Sequence, residues 1–283
     1  MPSAVHVANQ LSELNLTELT ALLAARPQHI ARQHDLHDVA DTLLLADSIA
    51  PALRSLSRRS LDSLANGTAD ADAIGLMLAD SAGVPYPEVL AQLPAVASVA
   101  APDEPATVPT DASAMLHTVC AIRDLLAWIS DEPLPMSATG GVLKAEEKIL
   151  AQGLVIPEGE AHVVVWMAER SGVARTVDRR LRVTRAGVAL MDDCEGLWTR
   201  VVDSVLAELP TTVVAQIRDA RRLDRAFVEW AWPLRDTAGK RSLDLVLRAA
   251  DMLGLVAGAT TDCGRAVLAA DESALTAIRA AAF

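Results

Sequence analysis

Six arginines crowd into one short stretch of the chain: Arg170, Arg175, Arg179, Arg180, Arg182 and Arg185. A guanidinium keeps its charge at any physiological pH and forks onto phosphate oxygens. The chemistry such a stretch offers is therefore contact with a phosphate backbone. Leu181 and Val183 alternate with Arg180, Arg182 and Thr184, which is the period of a strand with one buried and one solvated face. Upstream, Lys144, Glu147 and Lys148 have the spacing of one outer helix face. The candidate nucleic-acid-binding set is Lys144, Lys148, Arg175, Arg179, Arg180, Arg182 and Arg185. The alternative for the arginines is a solvated hairpin neutralised by Glu169 and Asp178.

Other chemistry finds little support. A phosphate-cradling loop needs G-x-x-x-x-G-K-[ST], so that backbone N–H groups and a lysine surround the phosphates. The nearest run, Leu234 to Arg241, has Gly239-Lys240 but lacks the first glycine and the Ser/Thr for magnesium. No Asp-Glu-x-His or Asp-Glu-Ala-Asp box occurs, and no nucleophile-elbow glycine pattern. His29, His34, His37 and Asp38 cluster, but without a fourth ligand they read as solvated residues between helices. Cys120, Cys194 and Cys263 are odd in number and far apart, so neither a disulfide framework nor a zinc site is expected. Arg218, Arg221, Arg222 and Arg225 lie among Asp219 and Asp224 at spacings that suggest intrahelical ion pairs. No cofactor, metal or catalytic activity is expected.

The elements that must position the basic residues are mostly helices. Apolar periodicity predicts helices over 11–26, 35–46, from Ser48, over 59–66, 70–80 and 86–93. Asn15 or Thr17 caps the first, and Pro51 sits in the first turn of the third. Residues 97–111 form a Pro/Ala linker. A helix over 112–130 follows, then one over 140–152 with Val142, Leu143, Ile149 and Leu150 inward. Gly153 takes the left-handed stop, and Leu154-Val155-Ile156 reads as a buried strand. A helix over 160–170 leads to the arginine strand, and Thr184 caps a helix over 185–193. Helices over 198–208, 211–230 and 242–253 follow. Gly254-Leu-Val256 matches Gly153-Leu-Val155, and Cys263 to Leu268 parallels Arg185 to Leu190, a weak internal repeat. The expected fold is mainly α with small β-hairpins (α+β), a tandem of winged-helix-like domains. The divisions are a helical domain 1–96, the linker 97–111, and winged-helix-like domains 112–195 and 196–283.

Composition sets the outer bounds. The net charge of −12 argues against a chain that coats nucleic acid with its whole surface, while leaving room for a local basic face. Aromatics are 3%, so Trp166, Trp198, Trp230 and Trp232 read as core or inter-domain anchors. The N-terminus shows no signal peptide, and the longest nearly uncharged run, 91–101, contains Pro94 and is too short for a bilayer. The expected setting is a reducing cytoplasm, with no membrane partner.

Three runs in order carry a family resemblance: Leu19-Thr-Ala-Leu-Leu-Ala-Ala-Arg-Pro27, Asp38-Val-Ala-Asp-Thr-Leu43 and Ser48-Ile-Ala-Pro-Ala-Leu53. Met136-Ser-Ala-Thr-Gly-Gly-Val-Leu-Lys144 and the exit Thr184-Arg-Ala-Gly187 follow. Together they resemble actinobacterial helicase-associated proteins carrying an XPB-like helicase N-terminal domain. The resemblance implies tandem winged-helix-like domains engaged in nucleic-acid work, with DNA and a helicase or other DNA-processing protein as partners. Members of that family run longer than 283 residues, which implies a fragment, a truncated copy or a shorter paralogue. Glu146 and Glu147 depart from the pattern, since they would face phosphates poorly. Two functions follow as expectations: a non-catalytic DNA-binding module acting through the wing arginines, or a protein-interaction scaffold. A third is the front part of a longer ATP-dependent helicase.

Overall fold

A computed structural model describes residues 3–26, 35–96 and 99–283. Among them 17 helices make up 63% of the protein, joined by a three-stranded antiparallel sheet and a two-stranded hairpin. The fold is mainly helical. The chain divides into two compact units, 1–102 with 210–216 and 226–238, and 103–209 with 217–225 and 239–283.

The first unit opens with α1 (Ser3–Glu13), α2 (Leu16–Ala25), α3 (Leu36–Leu43) and α4 (Ala46–Arg54), then α5 (Arg58–Ala65), α6 (Ala71–Gly75) and α7 (Pro87–Gln92). The helix expected over 11–26 is instead two. Asn15 and Glu18 form a reciprocal capping box that starts α2 afresh and leaves Leu16 80% exposed. The helix expected over 70–80 stops at Gly75, because Met77 turns left-handed and Ala79 bridges to Pro85. Val7, Leu11, Leu22, Leu43, Ile49, Leu53, Leu61 and Leu64 form the core. Of the histidine cluster, His29 and His34 lie outside the described residues.

Two polar groups sit in that core. The Arg26 guanidinium is buried and donates to the Leu76 carbonyl (2.9 Å), the Leu43 carbonyl and the Ser48 hydroxyl. It thereby satisfies carbonyls at the ends of α3 and α6 that have no helical partner. Burial lowers its pKa to about 10. Tyr86, buried at the start of α7, donates its hydroxyl to the Gln10 side chain. Burial first, then Asp80 and Glu88, push its pKa up to about 12. Its protonated form is thus favoured by folding. That contribution is whole below pH about 10 and is lost as pH rises towards 12, while the Arg26 penalty eases over a similar range. Tyr86 is the single tyrosine in the protein. Its ultraviolet titration is expected to have a midpoint near 12; a midpoint near 10 in the folded protein would refute the buried hydroxyl.

Segments from late in the chain complete the first unit. The Thr212 hydroxyl donates to Ser55 O (2.8 Å), and the Trp232 indole N–H to Arg54 O (2.6 Å), so both occupy carbonyls at the end of α4. Arg58 lies over the Trp230 ring at 5.2 Å and donates to Trp230 O (2.9 Å). The division of the chain into 1–96, 112–195 and 196–283 therefore does not coincide with the two units.

The second unit begins with α8 (Ala112–Asp131), β1 (Leu134–Pro135) and α9 (Lys144–Gly153). Then come α10 (Ala161–Arg170), the hairpin β2 (Ala174–Val177) and β3 (Arg180–Val183), α11 (Arg185–Leu190) and α12 (Cys194–Leu206). The helix expected over 211–230 is two, parted where Arg221 takes a positive φ: α13 (Thr211–Ala220), of which only 217–220 belong to this unit, and α14 (Arg225–Ala231), which from Ala226 on belongs to the first. The unit closes with α15 (Thr237–Met252), the hairpin β4 (Val256–Ala257) and β5 (Ala259–Thr260), α16 (Asp262–Ala269) and α17 (Glu272–Ala282). Residues 103–111 are held on this unit and are no free linker: Val108 bridges to Thr261, and Cys263 N–H donates to Thr110 Oγ1 (2.8 Å). Among the described residues α8 is the one helix long and apolar enough to cross a membrane. Its Met115, Val119, Ile122, Leu125, Leu126 and Ile129 are buried.

The α9 region departs from expectation. Ile149 is 50% exposed and Leu143 also faces solvent, leaving Leu150 and Ala151 inward. Leu154-Val155-Ile156 is a turn with Val155 left-handed and 74% exposed. Gly153 is helical, and it is small because an added Cβ would stand 2.3 Å from the Trp128 ring.

The internal repeat is real, but its register is not the one read from the sequence. Gly254 corresponds to Gly172, both left-handed (φ 76 and 71), and each precedes a hairpin. Each hairpin ends at a threonine, Thr184 or Thr261. Its N–H donates to the carbonyl of Val173 or Leu255 (3.0 Å in both). Its hydroxyl donates to the carbonyl of Gly172 (2.7 Å) or Gly254 (2.6 Å) and accepts from the N–H of Gly187 (3.1 Å) or Gly264 (3.0 Å). Thr184-Arg-Ala-Gly187 is thus matched by Thr261-Asp-Cys-Gly264.

Candidate nucleic-acid interface

The arginine strand is one arm of the first hairpin. Asp178 and Arg179, with φ of 51 and 59, make the two-residue turn that suits the twist of antiparallel strands. The register pairs Ala174 with Val183, Arg175 with Arg182, Thr176 with Leu181 and Val177 with Arg180. β1 adds on the other side of β3, pairing Leu134 with Leu181 and Pro135 with Arg180. Strand alternation then sorts the two faces. Ala174, Leu181 and Leu134 are buried against the unit, while Arg175, Val177, Arg180 and Arg182 are exposed on the opposite face. Arg179 is exposed at the turn, and Arg185 at the start of α11.

None of these five arginines has a carboxylate within ion-pairing distance among the described residues. Glu169 instead accepts from the Thr176 hydroxyl (2.6 Å). Of the six arginines in the stretch only Arg170 is ion-paired among the described residues, to Glu208 (3.4 Å). Arg180 reaches the Pro133 carbonyl at 3.4 Å. Arg175 and Arg182 face each other directly across the strands, an arrangement of like charges that weakens a hairpin. The second hairpin is the same motif without arginines, its strands and turn being Val256-Ala-Gly-Ala-Thr260. The arginines are therefore not needed to build it.

Lys144 and Lys148 are exposed on α9, one helical turn apart. The loop before α9 is tied to the hairpin: Met136 N–H donates to Arg179 O (2.8 Å), and Met136 bridges to Val142. Glu147, close to both lysines, is engaged by His162 (3.3 Å). Set against known protein families, curated proteins and solved structures, the chain matches none of them. The site must therefore be read from its own chemistry.

The helix expected over 160–170 is α10 (Ala161–Arg170), which leads into the hairpin; what sequence reasoning missed is how fully it is covered. Ala161, Val163, Val164, Val165, Met167 and Ala168 are buried, packed among α8, α9, α12 and β2. Its polar side chains are occupied. His162 lies between Glu147 and Arg248 (3.2 Å), Glu169 holds Thr176, and Arg170 holds Glu208. The run Val163-Val164-Val165 was the available signal, since a helix apolar all round is a covered one.

The remaining candidates are structural. Gly239-Lys240-Arg241 lies in the first two turns of α15, where there is no glycine-rich loop of the kind that cradles phosphates. Arg222 binds Asp224 through two hydrogen bonds (2.9 and 3.1 Å), and Arg225 pairs with Asp244 (2.7 Å). These pairs are made by a turn and across elements, unlike the intrahelical ones expected. Burial pushes the Cys263 thiol up to about 12, far from a reactive thiolate. Trp198 is fully buried and donates to Leu253 O (3.2 Å), as a core anchor should.

Proposed function

We propose that this protein is a non-catalytic nucleic-acid-binding module that meets DNA through the hairpin 174–183. The observation that carries the reading is the set Arg175, Arg179, Arg180, Arg182 and Arg185. All five are exposed and, among the described residues, free of ion pairs, on a motif that its own second copy builds without arginine. Keeping Arg175 opposite Arg182 costs stability, and a local rule broken without structural gain is the mark of a functional site. The order α8, β1, α9, α10, β2, β3, with β3 between β1 and β2, supports a winged-helix reading in which this hairpin is the wing. α15, the second hairpin and α16 support a shortened second copy. With the resemblance of Leu19–Pro27 and Met136–Lys144 to helicase-associated proteins, the role fits an accessory to a DNA-processing enzyme in the cytoplasm.

The test is fluorescence-polarisation binding of the whole protein to a labelled duplex across a salt series. Each phosphate neutralised contributes about −0.9 to the slope of log affinity against log salt, so five arginines give at most about −4.5. A steep slope of that order is expected. Failure to bind even at the lowest salt would overturn the proposal. One observation favours a different partner: Leu143, Ile149 and Val155 expose apolar surface around α9, which suits protein docking. A protein partner that survives loss of the hairpin arginines would point there.

A further inference from the structure

Resting on that function, we infer that the hairpin engages the sugar–phosphate backbone alone and does not read base sequence. Reading bases in the major groove takes an element with free donors and acceptors that can enter the groove. The helix that would serve, α10, has six of its ten residues buried, and His162, Glu169 and Arg170 are bound to protein groups. α9 offers Lys144 and Lys148 at its surface, beside the apolar Leu143 and Ile149. Among the described residues, the hairpin and the start of α11 offer five arginines, Asp178 at the turn and the apolar Val177, but no exposed Asn or Gln that could bind adenine bidentately; the arginines could fork onto guanine only from within a groove. The cationic groups lie on the open face of a sheet, with Arg175, Arg180 and Arg182 side by side. The major groove admits a two-stranded ribbon, but here β3 is flanked by both β1 and β2, so the arginine face is three strands wide and lies across the backbone. The acidic remainder of a chain at −12 keeps the contact to this one surface.

The experiment compares whole protein on labelled duplexes of A·T-only, G·C-only and mixed sequence at one low salt concentration. The salt slope is then measured for Arg175→Gln and Arg182→Gln. Affinities within about threefold of one another are expected, because one base-reading contact would separate the duplexes by roughly fivefold or more. Each glutamine variant should weaken all three duplexes equally and lower the slope by about 0.9. Glutamine keeps the length and polarity of an exposed strand position, and circular dichroism of each variant should match the parent. A preference of roughly fivefold or more for one duplex overturns this inference but leaves nucleic-acid binding intact. Absence of binding to any duplex overturns the proposed function itself. A slope unchanged in both variants would remove the hairpin from the interface and the inference with it.

Discussion

Arg182→Glu is expected to weaken DNA binding while making the protein slightly more stable. The two effects have opposite signs because Arg182 stands directly opposite Arg175. In the native hairpin that pair is repulsive, and neither arginine has a carboxylate to relieve it among the described residues. A glutamate at 182 turns the cross-strand pair attractive, worth about 0.2–1 kcal/mol at an exposed site, and less as salt rises. Binding moves the other way, since a phosphate contact is lost and a repulsive charge gained. In Arg180→Glu/Arg182→Glu two charge-assisted contacts go. At about 1.5–3 kcal/mol each, affinity should fall by about a hundredfold or more. Thermal melting and polarisation on the same preparations check both signs. A variant that is less stable and binds as before would show that the arginines serve the fold.

Gly187→Ala and Gly264→Ala should each be severely destabilising, and by similar amounts. At Gly187 an added Cβ would stand 2.1 Å from the Val173 carbonyl oxygen; at Gly264 it would stand 2.2 Å from that of Leu255. Both obstacles are backbone atoms. They are held in place by the N–H of Thr184 or Thr261, so no side-chain rotation relieves the overlap. Overpacking against fixed backbone costs about 3 kcal/mol or more. In a unit of this size that corresponds to a fall of roughly 6–12 °C in melting temperature. The pair also tests the repeat: if the two exits are one motif, the losses match. Gly140→Ala, at a left-handed glycine with open space around it, should cost less.

Much of the local structure was legible in the sequence because its causes are local. The Asn15 cap, Thr184 as the cap of α11, and the period-two alternation of Leu181 and Val183 against Arg180 and Arg182 each depend on residues close in the chain. The arginine cluster, its exposure and the predominance of helix followed from the same signals. Tertiary structure decided the rest. That 210–216 and 226–238 belong with the first hundred residues depends on Trp232 and Thr212 meeting the end of α4, a pairing across more than half the chain. Which glycine answers Gly254 was settled by backbone angle and hydrogen bonding, since Gly153 and Gly172 are each glycines at the end of an apolar helix. That α10 is covered depends on α12 packing against it. That Arg175 confronts Arg182 depends on strand register, which the two-residue turn at Asp178-Arg179 sets. Composition and periodicity say which residues are apolar and which are charged; only the packed chain says which of them face each other.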